Sequence, residues 1–274
     1  MEDGLKVTAF NIEINDLAPL EVDLVRIGNK GDGGYLLPRG LITECDCLIT
    51  FGISTEWSFE QHVRSLNKRI KVHAVDRTAG VAAFLYSAMR SLTLRDANGK
   101  ERLRDFWVYI KHAIRFAKFF WKPSIRFDRR WIAGVAATKK DLSISSLLSQ
   151  IDRDRNVLFK IDIEGAEYEI LPSIISSIGE QKLVVKCLVI EFHDTQERRG
   201  EFLNLVNSLR RHMEIVHLHG NNCVVAAPDG FPQVVEITFA LVKNHRTKKR
   251  KLLPIAELDS INDPTVPDFE LAFY

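Results

Sequence analysis

Three carboxylates, Asp162, Glu164 and Glu167, crowd around Gly165 in the stretch FKIDIEGAEYEIL, Phe159 to Leu171. An apolar run that stops at acids reads as a buried strand whose end opens on a cleft, because a carboxylate buried without a partner is costly. Further along, EFHD sets Glu191 and His193 on one strand face. His changes charge near neutral pH, so His193 is the first candidate for a general base, a role that contributes on the order of 10²–10⁴-fold. The other reading of a strand-end His is a structural hydrogen-bonding residue. HLHGNN places His217 and His219 on one face, followed by Asn221 and Asn222. Asp162, Glu191, His193 and His219 could converge on a divalent ion, which would polarise a diol and lower its hydroxyl pKa. Their spacing, on separate strands, identifies no metal.

The turn in FGISTEWSFE has Gly52 at its start, with Ser54, Thr55 and Ser58 available to cap the helix that follows. A dinucleotide pyrophosphate needs the close backbone approach of a G-x-G-x-x-G turn, and that pattern is missing. IKVHAVD ends at Asp76, where an acid can hydrogen-bond a ribose; a strand-terminal Asp also serves as a cap or turn residue. Together these features suit an adenosine ligand without a pyrophosphate, such as S-adenosylmethionine. In GDGGY, Gly33 and Gly34 can adopt positive φ and fold Asp32 and Tyr35 over a pocket, or form an ordinary hairpin turn.

These residues need a frame. DCLITFGI (Asp46 to Ile53), IKVHAVD (Ile70 to Asp76), VLFKIDI (Val157 to Ile163) and CLVIEFH (Cys187 to His193) are near-continuous apolar runs, the mark of parallel strands buried on both faces. Between them, SFEQHVRSLNKR, SISSLLSQI and AEYEILPSIISSI carry helical spacing. The alternation predicts a doubly wound α/β domain, in which ligands bind beyond the carboxyl ends of the strands. MEIVHLHGN and VVEITFALVK, too close for a crossover helix, are expected to pair antiparallel at one edge, and a third strand is expected near Trp131. The chain reads as one domain over 1–274, with an N-terminal extension of about 1–40 and a basic helical insertion at about 79–130.

RIGNKGDGGYLL, FGISTEWSFE, FKIDIEGAEYEIL, LVIEFHD and HLHGNN, in that order, resemble the motifs of the FkbM-type methyltransferases, from about Arg26 to Phe239, most specifically in FKIDIEGAEYEIL. The resemblance implies a class I, Rossmann-like methyltransferase with a mostly parallel seven-stranded sheet and an antiparallel edge strand. It also implies S-adenosylmethionine as cofactor and O-methylation of a hydroxyl on a sugar, glycan or related metabolite. By that resemblance Gly52, Ser54, Glu56, Trp57 and Ser58 lie along the cofactor, beneath Asp32, Gly33, Gly34 and Tyr35. Asp76 holds the ribose, Asp162 and Glu164 border the methionine end, and His193, Asp162 and Glu191 serve catalysis. The glycine-richer first turn common in such enzymes is reduced here to Gly52. Two rivals follow: a nucleotide-sugar reductase or epimerase, disfavoured by the missing glycine fingerprint, and a non-catalytic methyltransferase-like binding module.

With 274 residues and 46% hydrophobic composition, the chain can bury a large core. Cys45, Cys47, Cys187 and Cys223 lack paired zinc spacing and read as reduced structural thiols. No run is long enough to span a membrane, and no secretory signal pattern opens the sequence, which suggests a cytoplasmic protein. The net charge of +2 is uneven: twelve Lys/Arg against four Asp/Glu lie between Arg90 and Arg130, and HRTKKRK adds five more positive charges. That suits an anionic partner, while no nucleic-acid module accompanies the charge. Leu103, Trp107, Ile110, Ile114, Ala117 and Trp121 follow helical spacing, with Arg104, Lys111, Arg115, Lys118 and Lys122 on another side. The apolar stripe is expected to pack on the core or a second subunit, to close over a hydroxylated acceptor, or to meet an anionic membrane surface carrying a lipid-linked one.

Overall fold

The computed structural model describes residues 6–8, 16–94, 102–242 and 248–273. Part of HRTKKRK, residues 245–247, and Tyr274 lie outside them. The chain enters through β1 (Lys6–Thr8), the hairpin β2 (Leu24–Ile27) and β3 (Tyr35–Pro38), and the short α1 (Leu41–Glu44). There follow β4 (Cys47–Phe51), α2 (Ser58–Leu66), β5 (Lys71–Val75), α3 (Val81–Thr93), α4 (Leu103–Phe120) and β6 (Ile125–Asp128). The small strands β7 (Trp131–Ala133) and β8 (Asp141–Ser143) pair in parallel outside the main sheet, before α5 (Ile144–Leu148). Then come β9 (Asn156–Ile161), α6 (Glu167–Gly179), β10 (Val184–Phe192), α7 (Arg199–Leu209), β11 (Glu214–Gly220) and β12 (Val235–Ala240). The chain closes with β13 (Leu252–Leu253) and β14 (Glu270–Ala272), which form a small sheet with β1.

The apolar runs assemble in the order β11-β12-β10-β9-β4-β5-β6. Neighbours from β6 to β10 are parallel, and β12 runs antiparallel to both β10 and β11. This is a doubly wound, mostly parallel seven-stranded sheet, with the antiparallel strand one place in from the edge. Alternation within each strand feeds two hydrophobic layers. Leu48 and Leu158 join Val63, Phe84 and Phe116 on one face, whereas Ile49 and Phe159 join Ile170, Ile174 and Phe202 on the other. Strands covered on both sides have no use for polar alternation, which is why their sequences are almost wholly apolar.

Two expectations need correction. The third strand is β6, at Ile125–Asp128, so the insertion is the helix pair α3 and α4 and stops short of residue 130. Trp131 instead starts β7, because Ile125 and Phe127 carry the apolar side chains that pack beneath α4. The second correction concerns α4. Its buried side is Ala113, Phe116, Phe119 and Phe120, while of the expected contact stripe Leu103, Trp107, Ile114 and Trp121 are exposed and Ile110 and Ala117 half-buried. The fold chose the Phe-rich side because Trp57, Phe84 and Phe127 offer it a nest of edge-on aromatic contacts, with Trp57 and Phe116 centroids 5.3 Å apart.

Candidate functional site

The strand order reverses between β4 and β9, and their carboxyl ends open on a cavity of about 530 Å³, within the usual range for a small-molecule site. Gly52 leaves β4 with φ 74°, and a Cβ there would overlap the Asp162 carbonyl oxygen leaving β9. Glycine is required because the two strand exits almost touch. Ser54, Glu164 and Asp194, just past β4, β9 and β10, also take left-handed conformations, with φ of 46°, 54° and 52°. Non-glycine residues held there cluster at functional sites.

Asp162, Glu191 and His193 line one wall, each offering a ligand atom within 4.8 Å of the others. Nδ1 of His193 is 2.7 Å from Oε1 of Glu167, and its Nε2 is 3.4 Å from Glu164 and 3.9 Å from Glu191. Burial opposes a charged His193, but the hydrogen bond and charge of Glu167, helped by Glu191 and Glu164, outweigh it and raise the pKa to about 9. Glu191 moves well above the usual carboxylate range through burial and the neighbouring Asp162 and Glu236. Asn221 donates to Glu191 at 2.9 Å. Tyr35 lies beneath the wall, its hydroxyl 3.4 Å from both Asp162 and Glu191. Burial and these carboxylates push the phenol well above its ordinary value, so it remains a donor. The buried Lys160 donates to the Gly52 carbonyl at 2.5 Å and to Asp162 at 3.0 Å. Burial works against its charge, and Asp162 and Glu60 more than restore it. Asp162, Glu164 and Glu167 stand against Lys160 and His193, with Glu191 held towards its neutral form, and leave a wall suited to a cation.

Of the residues expected along the cofactor, Asp32, Gly52, Ser54, Asp76, Asp162 and Glu164 line the cavity. Gly33, Gly34, Tyr35, Glu56, Trp57 and Ser58 do not. Glu56 and Ser58 brace the glycine loop by bonding the Asn29 amide side chain and backbone N–H, at 3.0 and 2.9 Å. Trp57 faces the aromatic nest under α4, because the first turn of α2 rotates it away from the sheet end. Asp76 reaches the cavity with its carboxylate already engaged. One oxygen accepts from the Ile53 and Ser54 amides at 2.6 and 2.7 Å, and the other from the Thr78 amide, the Thr78 hydroxyl and the Ala79 amide at 2.6, 2.7 and 2.9 Å. Despite burial, those donors hold its pKa below the usual range. In this arrangement Asp76 shapes the first turn, and a ribose hydroxyl would have to displace one of its partners.

His219 departs from the expected metal set. It bonds Asp268 at 3.2 Å, while His217 pairs with Asp259 at 3.0 Å and Asn222 donates to the carbonyls of Asp263, Val266 and Pro267. HLHGNN is therefore a latch for the C-terminal segment, with only Asn221 turned to the cavity wall. That segment in turn holds the glycine loop: Ser260 accepts from the Gly31 amide at 2.8 Å, and Arg26 joins the carbonyls of Leu258 and Gly34. Lys160, Arg130 and Trp131 were missed as site residues, and Glu167, noted among the three carboxylates, was given no role. Lys160 and Glu167 stood in the central motif, where the charge of Lys160 inside an apolar run was the available signal; nothing local marked Arg130 and Trp131.

The family model described as Methyltransferase FkbM domain matches residues 124–221, a span that includes Asp162, Glu191 and His193. No curated protein sequence matches the chain. Among solved structures it is similar to spermidine synthase from Thermotoga maritima, with 10% identity over 80% of this chain and 58% of that one and a TM-score of 0.38. It is also similar to precorrin-6y C5,15-methyltransferase from Geobacter metallireducens, with 12% identity over 73% and 84% and a TM-score of 0.34. The fibrillarin pre-rRNA processing protein of Methanococcus jannaschii has 12% identity over 73% and 67%, with a TM-score of 0.34.

Proposed function

We propose that this chain, which carries an FkbM-type methyltransferase domain on a class I methyltransferase fold, methylates a hydroxyl group of a sugar, glycan or related metabolite using S-adenosylmethionine. The observation that most supports the choice of a hydroxyl is the Glu167–His193 pair at the cavity wall, since an alcohol must lose a proton and this pair is built to take one. The cavity suits the cofactor by size, by the close approach that Gly52 permits, and by an acidic wall matched to a cation. Gly52 and Ser54 would hold the nucleoside end, beside the apolar Val75 and Ile132, with Asp162 and Glu164 toward the methionine end. When bound, S-adenosylmethionine supplies an electrophilic methyl group on a sulfonium.

The protein's own part is positioning and proton transfer. His193 receives the acceptor proton at Nε2 while its Nδ1–H stays donated to Glu167, which orients the ring and stabilises the imidazolium. With a pKa of about 9, His193 must first shed a proton; positive charge entering the cavity favours that loss. Asn221 and Tyr35 keep Glu191 in place beside it. A second reading is favoured by the convergence of Asp162, Glu191 and His193: the three could ligate a divalent ion through His193 Nε2, with Glu167 orienting the ring from behind.

Mass spectrometry of a glycan and metabolite extract incubated with methyl-labelled cofactor tests the proposal. A labelled hydroxyl is expected with wild type, and a loss on the order of 10²-fold or more in His193→Ala with S-adenosylhomocysteine binding retained. Near-normal turnover in that variant removes His193 as the base. Binding of NAD in place of S-adenosylhomocysteine would favour a reductase or epimerase, and cofactor binding without transfer to any acceptor a binding module.

A further inference from the structure

α4 carries a second apolar face that the described residues leave largely exposed. Leu103, Trp107, Ile114 and Trp121 are 54%, 59%, 50% and 80% exposed. At 3.6 residues per turn they fall along one line, roughly 27 Å long and about a third of a turn from the Phe116 and Phe120 side that packs on the core. On the opposite flank of that line stand Arg104, Lys111, Arg115, Lys118 and Lys122, all exposed. None of the five is ion-paired with a described residue, and the single acid of the helix, Asp105, sits in its first turn with Arg102.

An apolar line containing two tryptophans, bordered by an unopposed cationic row, has the composition of a helix lying in a bilayer interface. Indole rings favour the headgroup level, and Lys and Arg stems can reach along apolar surface to place their charges among lipid phosphates. A second copy suits the surface less well, because antiparallel pairing of two such helices would set one cationic row beside the other. We infer that α4 docks the protein on an anionic membrane surface. The inference goes beyond the proposed reaction and does not depend on it.

Flotation of the full chain with vesicles tests it. Binding is expected to phosphatidylcholine vesicles containing phosphatidylserine, falling steeply as salt is raised, and not to phosphatidylcholine alone. Lys111→Glu with Lys118→Glu should weaken binding at least about tenfold, and Trp107→Ala with Trp121→Ala should also weaken it. Both variants should keep wild-type circular dichroism and S-adenosylhomocysteine binding. Absence of binding to anionic vesicles overturns the inference, as does equal binding by the folded variants. So does sedimentation showing a dimer that the tryptophan variant dissolves while the wild type ignores vesicles.

Discussion

Nδ1 of His193 lies 2.7 Å from Oε1 of Glu167, a carboxylate with no exposed surface on the first turn of α6. The pair sets the protonation of the proposed base. Because a base must be neutral, kcat/KM is expected to rise from neutral pH and level off above about 9 in the free enzyme. Glu167→Gln removes the charge that favours imidazolium, so the rise should move to lower pH while the plateau drops. An unmoved pH limb in this variant would show that Glu167 does not tune His193.

Gly52 and Gly40 offer a matched comparison, with φ of 74° and 83°. Around Gly40 a Cβ would meet nothing, so Gly40→Ala should cost about 1 kcal/mol from backbone conformation alone. Gly52→Ala adds a collision with the Asp162 carbonyl and should cost roughly 3 kcal/mol or more. It should also abolish S-adenosylhomocysteine binding. Thermal melts and calorimetry would check both, and equal effects at the two positions would mean that the strand exits are not tightly apposed.

The C-terminal latch should weaken in alkali. Burial opposes a charged His219, yet its hydrogen bond to Asp268 and the charge of Glu236, 3.7 Å away, carry its pKa to about 10. A folded value above the unfolded one of about 6.5 means that the stabilisation is complete below about 6.5 and is lost as pH rises towards 10. Hydrogen exchange over residues 258–273 should therefore accelerate across that window. In Asp268→Asn it should be fast throughout; exchange independent of pH-driven release in both proteins would refute the latch.

The metal reading has its own test. If an ion bridges Asp162, Glu191 and His193, chelator should abolish methyl transfer and Mg²⁺ or Mn²⁺ should restore it, with Glu191→Gln weakening the restoration. Activity indifferent to chelator would rule out the ion and favour proton removal by the Glu167–His193 pair.

The amino-acid sequence by itself determined the doubly wound sheet and which acids stand near its carboxyl rim. Strands covered on both faces must be apolar throughout, so the central strands, with Asp76, Asp162 and Glu191 at or near their carboxyl ends, could be placed from local order alone. Which residues meet was a different matter. Glu167 and His193 arrive from separate elements, and the latch between His219 and Asp268 spans 49 positions. α4 shows the limit most clearly. Leu103, Trp107, Ile114 and Trp121 satisfy helical spacing as well as Ala113, Phe116 and Phe120 do, and only the presence of Trp57, Phe84 and Phe127 on the facing surface decided which side was buried. Periodicity belongs to the helix, whereas burial depends on shape complementarity with partners that only the folded chain brings near.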